Sequence, residues 1–181
     1  MSFSSRLLVV LAGLTIAGLA LGGCGGKKEP APTGGAQVAT ASGLDFNLTD
    51  LNGKPLRLAD LRGQVVVVDF WATWGPPCKA ALPHMQEIHD AFTGSVTIVA
   101  VATDDQGEKV VRPFVAEKGY TFPVAMVNEE VLKAFGPIRG LPTTVVIGPD
   151  GKIFKKYQGY RPKEVLLADI KALKPELFPT L

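Results

Sequence analysis

Four consecutive valines, Val65–Val68, running into Asp69, Phe70 and Trp71, constrain this chain more than any other segment. β-Branched residues favour extended backbone, and a run without polar alternation leaves no face for water. It therefore fits a strand covered on both sides, as in a parallel sheet between helices. The segments that follow supply the expected partners. Ala81, Met85, Ile88 and Phe92 recur at helical spacing and predict an amphipathic helix from Pro76 to Phe92, with Pro83 as a kink point. A second buried strand is expected at Val96–Ala102. A helix follows near Glu108–Lys118, with Val111, Phe114 and Val115 inward, then a short strand near Phe122–Met126 and a short helix over Glu129–Phe135. Thr143–Ile147 is again β-branched, Pro149–Lys152 is a turn in which Gly151 supplies positive φ, and Ile153–Gln158 returns as the hairpin partner. Leu166, Ile170 and Leu173 mark a closing helix. The fold class is α/β, a mixed central sheet flanked by helices.

This domain is expected to occupy residues 44–181, because what precedes it has a different character. Residues 1–23 hold one cation, Arg6, then an almost wholly apolar stretch from Leu7 to Leu21, then Gly22 and Gly23 before Cys24. A run this short suits a secretory signal better than a permanent membrane span. Leu21-Gly22-Gly23-Cys24 resembles the lipobox of bacterial lipoproteins, which implies cleavage before Cys24 and lipidation of its sulfur; an ordinary signal peptide with Cys24 left as a free thiol is the alternative. Residues 25–43 are rich in Gly, Pro, Ala, Ser and Thr and cannot bury enough surface to offset their ordering entropy, so residues 24–43 read as a lipidated cysteine and flexible tether.

Composition narrows the function. With 46% hydrophobic and 20% charged residues the chain is neither disordered nor a coiled coil. Its 19 Lys+Arg against 17 Asp+Glu, with no long basic run, give no reason to expect a nucleic-acid partner. The 2 cysteines, Cys24 and Cys78, cannot form a disulfide scaffold. His84 and His89 are five apart on the expected helix and do not make a convincing metal set with Cys78 and Met85, so no metal and no cofactor is expected.

Val68-Asp69-Phe70-Trp71-Ala72-Thr73-Trp74, then Cys78 and Pro83, and far downstream Gly140-Leu141-Pro142-Thr143-Thr144, resemble the thioredoxin-like fold in its membrane-anchored, extracytoplasmic form, the TlpA/ResA-like thiol–disulfide oxidoreductases. Leu48–Lys54 with Leu58–Gly63 is similar to that family's opening hairpin, so the resemblance spans nearly the whole domain. The family's strand-to-helix turn reads Trp-Cys-Xaa-Xaa-Cys; here it reads Trp74-Gly75-Pro76-Pro77-Cys78. The resemblance implies that Cys78 holds the position of the resolving cysteine and that Gly75 replaces the exposed nucleophile. It also implies that Asp69 is the buried carboxylate that takes the resolving cysteine's proton, and that Leu141-Pro142 is a cis-proline loop facing an extended substrate.

Beside the resemblance stand plainer readings. Asp69 is equally a hydrogen-bonded polar residue at a strand end, Cys78 a packed inert thiol, and Trp71 and Trp74 packing residues. A helix start favours a thiolate at Cys78, whereas Pro76 and Pro77 contribute no N–H donors and a buried carboxylate opposes the charge. The expected site comprises Cys78 and Asp69 as the reacting groups, with Trp74, Gly75, Pro76, Pro77, Leu141 and Pro142 as the substrate groove. Three functions follow: a monothiol exchanger acting through Cys78 on envelope protein or small-molecule thiols and disulfides; a redox-inactive binding protein using the groove; or a metal carrier using Cys78 and a histidine. The chain is expected to be an exported monomer, lipid-anchored at a bacterial membrane. A single thiol cannot cycle between dithiol and internal disulfide.

Overall fold

A computed structural model describes residues 44–178. The expected export signal over residues 1–23, lipidation at Cys24 and the expected tether over residues 24–43 lie outside the described residues. Within them, β1 (Asn47–Thr49) and β2 (Pro55–Arg57) form an antiparallel hairpin. Then come β3 (Val65–Trp71), α1 (Pro76–Ala91), β4 (Val96–Ala102), α2 (Glu108–Lys118), β5 (Val124–Met126), α3 (Glu129–Phe135), β6 (Thr143–Ile147), β7 (Ile153–Gln158) and α4 (Lys163–Leu173). The main sheet has the order β5-β4-β3-β6-β7; β4 runs parallel to β3 and β5, and β6 is antiparallel to β3 and β7. This is the mixed sheet of a thioredoxin-like fold.

The valine run lies at the centre. Val65, Val67 and Trp71 point into one core layer with Leu82, Met85 and Ile88 of α1, Val111 of α2, and Leu166 and Ile170 of α4. Val66, Val68 and Phe70 point into the other, with Val131 and Phe135 of α3 and Phe46, Leu48 and Leu56 of the opening hairpin. All seven residues of β3 are buried. Full burial contributes about 1.5–3 kcal/mol per large aliphatic side chain, so Leu82, Met85 and Ile88 alone hold α1 down with roughly 5–9 kcal/mol before ordering entropy. The helix continues through Pro83.

Two elements differ in extent from the sequence reading: β5 begins two residues after Phe122, and the return strand of the opening hairpin is Pro55–Arg57, with Leu58–Leu61 forming a 3-10 turn after it. A single bridge, Asp50 to Ala125, and the Leu51 N–H to Val124 carbonyl bond (2.7 Å) join that hairpin to β5. Among the described residues, no helix is long and apolar enough to cross a membrane.

Candidate active site

The site forms where β3 ends and α1 begins. The Gly75 N–H donates to the Ala72 carbonyl at 3.3 Å, closing a turn. Asp104, just past the end of β4 and only 6% exposed, holds that turn: its oxygens accept the Thr73 N–H at 3.1 Å each, and Oδ1 accepts the Thr73 hydroxyl at 2.5 Å. α1 then starts with Gly75 as cap and Pro76 and Pro77 in its first turn. Neither proline needs a partner for an N–H it lacks, and their fixed φ suits a helix start. The first backbone bond of the helix runs from Lys79 N–H to Gly75 carbonyl at 3.0 Å.

Cys78 faces inward, fully buried in the layer that contains Leu82, Met85 and Trp71. Burial pushes its thiol above the usual value. Backbone contacts at Ala72 and at Cys78 itself offset part of this, and the carboxylates of Asp69 and Asp104 push it further up. The helix start, expected to favour a thiolate, is therefore outweighed by desolvation and two acidic neighbours, and the resting sulfur is a thiol.

Asp69 lies on the same sheet face, between Val67 and Trp71, and is fully buried. Its register partner Thr144 donates its hydroxyl to Oδ1 at 2.7 Å, while Oδ2 has no partner among the described residues. Desolvation lifts the carboxyl to about 7, against a lowering effect from the Thr144 bond. A protonated carboxyl is the form a low-dielectric site tolerates.

Gly75 is buried directly over the sulfur. A Cβ built there would stand 3.0 Å from Cys78 Sγ and 3.5 Å from Cys78 Cβ. The two tryptophans separate: Trp71 is buried, its ring centroid 5.5 Å from that of Phe114, whereas Trp74 is 69% exposed. The packing reading thus holds for Trp71 and fails for Trp74, which projects from the turn. Pro76 and Pro77 are exposed beside it.

The Leu141-Pro142 bond is cis. Thr143 pairs with Phe70, so this loop arrives at the same end of β3 as the turn. Leu141 is half-buried and packs against both core layers. The Pro142 carbonyl accepts the Gly159 N–H at 2.7 Å, whereas the Leu141 N–H and carbonyl make no backbone bond among the described residues. Cys78, Asp69, Gly75, Leu141 and Pro142 therefore share one end of the sheet. The histidines do not support the metal-carrier reading: His84 lies 3.3 Å from the Tyr160 hydroxyl, His89 stacks edge-on to Phe122, and no group of three potential ligands is close enough to hold a metal among the described residues.

Two residues escaped the sequence reading. Thr144 belonged to the quoted motif without a role, and only strand register shows that it faces Asp69. Asp104 carried no signal beyond its place after a buried strand.

The AhpC/TSA family model matches residues 40–156. The chain is 32% identical over 132 residues to the thiol-disulfide oxidoreductase ResA of Bacillus subtilis (strain 168), covering 72% of this chain and 73% of that protein. Among solved structures it is similar to a thiol:disulfide interchange protein of the thioredoxin family from Chlorobium tepidum TLS, with TM-score 0.67, 30% identity and coverage of 72% and 94%. The exposed lipoprotein thioredoxin Etrx1 from Streptococcus pneumoniae strain TIGR4 gives a TM-score of 0.60 at 29% identity, over 71% of this chain and 99% of that one.

Proposed function

We propose, on the premise that this chain belongs to the AhpC/TSA family of thioredoxin-like proteins and has thiol–disulfide oxidoreductases as relatives, that it acts on envelope thiols and disulfides outside the cytoplasm, tethered through lipid on Cys24, with Cys78 as its one reacting sulfur. The observation that carries this reading is the position of Cys78 Sγ, 3.0 Å from the empty Cβ position of Gly75, at the end of the sheet that also holds the Leu141-Pro142 loop. Glycine leaves no side chain between the sulfur and that surface.

The chemistry is one-thiol exchange. Cys78 loses its proton, for which the ionised fraction of Asp69 is the nearby acceptor. The thiolate attacks one sulfur of a partner disulfide, forming a mixed disulfide and releasing the other partner sulfur as a thiolate. A second thiol from outside the domain then attacks the mixed disulfide and returns Cys78. The exposed Trp74 and the open backbone of Leu141 flank the approach and hold the partner segment. Because the resting sulfur is covered and protonated, reaction requires the turn to open, so exchange is slow and speeds up with pH.

A redox-silent binding protein is the second reading, favoured by the complete burial of Cys78. Iodoacetamide labelling of the full chain against pH, resolved by peptide mass spectrometry and repeated after incubation with oxidised glutathione, separates the two. Exchange predicts slow labelling of Cys78 that rises at alkaline pH and a glutathione adduct on it. A Cys78 that stays unlabelled and unmodified in the folded chain leaves only the binding role.

A further inference from the structure

We infer that the partner segment is acidic, and that a cationic cavity beside the Leu141-Pro142 loop selects it; this rests on the reading of that loop as the partner-binding edge. The cavity, about 400 Å³, is lined by Pro137, Arg139, Thr143, Lys156 and Gln158. Arg139 lies two residues before Leu141. Lys156 and Gln158 alternate on β7 and so share one face, pairing across to Val145 and Thr143.

Each polar group has a defined state. The Thr143 hydroxyl donates to the Gly140 carbonyl at 2.6 Å and is spent within the loop. Lys156 Nζ donates to the Phe135 carbonyl at 2.8 Å, which fixes the ammonium at the rim with further N–H groups still free. The Gln158 amide lies across Gly140, where a Cβ would come within 2.7 Å of Nε2, so glycine is what lets this amide reach the loop. Neither Arg139 nor Lys156 is ion-paired among the described residues. On the opposite face of β7, Lys155 is compensated by Asp169 at 2.5 Å. Uncompensated positive charge on β7 therefore falls on the sheet face of Val145 and Phe135, opposite the layer that holds Cys78, where the cavity reaches the loop through Arg139 and Thr143.

The occupant follows from its neighbours. The unpaired N–H and carbonyl of Leu141 suit an extended segment adding by strand-like hydrogen bonds, and side chains of such a segment leave it at alternate positions. A carboxylate one or two residues from the pairing point meets the Arg139 fork, the Lys156 ammonium and the Gln158 amide, all donors. Two cations in a pocket, without a basic stripe, fit a single carboxylate better than a nucleic-acid backbone.

The test is fluorescence anisotropy of the full chain with labelled ten-residue peptides carrying a central S-methylcysteine flanked either by aspartate or by asparagine. The aspartate peptide is expected to bind roughly three- to tenfold more tightly at low salt. That ratio should fall toward one at about 0.5 M salt, where screening shortens to a few ångströms, and should collapse in the double variant Arg139→Gln, Lys156→Gln. An asparagine peptide that binds as well as the aspartate one overturns the cavity assignment while leaving the groove standing. So does a preference that survives the double substitution. If neither peptide binds, the groove reading falls and this inference falls with it.

Discussion

Replacing Gly75 by cysteine tests how the turn is built. The backbone there, φ −83° and ψ 113°, is ordinary for an L-residue, so a side chain brings no strain of its own. What a side chain meets is sulfur, with its Cβ 3.0 Å from Cys78 Sγ and 3.5 Å from Cys78 Cβ. In a disulfide, a sulfur–sulfur bond of about 2.04 Å places each Cβ about 3.0 Å from the far sulfur, with the two Cβ atoms about 3.5–4.5 Å apart. The position is therefore pre-shaped for a bridge to Cys78. Closing so short a loop, about four residues, stabilises by about 2 kcal/mol on the chain-entropy estimate, or roughly 5–10 °C in Tm for a domain of this size. Oxidised Gly75→Cys should melt higher than its reduced form by that amount, and should reduce insulin in the presence of dithiothreitol while the natural chain stays near background. Gly75→Ala is the control. The same 3.0 Å becomes a non-bonded contact, overpacking the sulfur and costing about 1 kcal/mol after the gain from a stiffer unfolded chain. Failure of Gly75→Cys to form the internal bridge in oxidised glutathione would refute the geometry. Equal insulin reduction by the natural chain would refute the role given to Gly75.

Asp69 sets a pH dependence with a definite sign. Folded, it keeps its proton up to about 7, whereas in the unfolded chain the carboxyl returns to its ordinary value of 3.8, so the folded state binds more protons in between and stability falls as pH rises across that window. The size is about 4 kcal/mol; urea midpoints between about pH 4 and 8 should show it, and Asp69→Asn should flatten the profile and lower the alkylation pKa of Cys78. Thr144→Val removes the hydroxyl bonded to Asp69 at 2.7 Å; it should cost about 1–2 kcal/mol and move the Asp69 titration still higher, read by carboxyl NMR shifts. Asp169, 3% exposed at its side chain, accepts the Tyr157 hydroxyl at 2.6 Å and Lys155 Nζ at 2.5 Å, tying α4 to β7. Asp169→Ala should destabilise by about 1–3 kcal/mol in chemical denaturation, and a change under about 0.5 kcal/mol, the usual range for a neutral surface substitution, would refute this tie.

Much of the fold was legible because its signals are local and repeated. The valine run has no polar alternation, and both of its faces are covered. α2, α3, β6 and β7 begin and end where periodicity, glycines and β-branched residues place them. The site was legible in part. Cys78, Asp69 and the Leu141-Pro142 loop are brought to one end of the sheet, but the sequence left open whether the helix start or burial governs the sulfur. That balance depends on atoms from β3 and the loop after β4, far apart along the chain. Asp104 was hidden for the same reason: its function is to bind Thr73, 31 positions away, and nothing in its neighbours announces that contact. For Trp74 the sequence left packing open beside a groove role, because aromatic residues beside an apolar strand usually pack; the turn through Ala72 and Thr73 carries it out of the layer that Trp71 occupies.

The two edges of the main sheet end differently, and this bears on self-association. β5 is partly covered by the hairpin through Asp50 and Leu51, whereas β7 leaves a row of exposed residues, Ile153 to Lys156, along a ladder that no strand extends among the described residues. An uncovered edge with two exposed apolar side chains is a template for another copy's strand. Here Lys156, which makes no ion pair among the described residues, sits in that row, and a register irregularity between Val146 and Ile147 bends the adjoining ladder. Two copies approaching edge to edge would bring like charges together on a twisted rim, so the strand that completes the sheet also discourages its growth into a fibre.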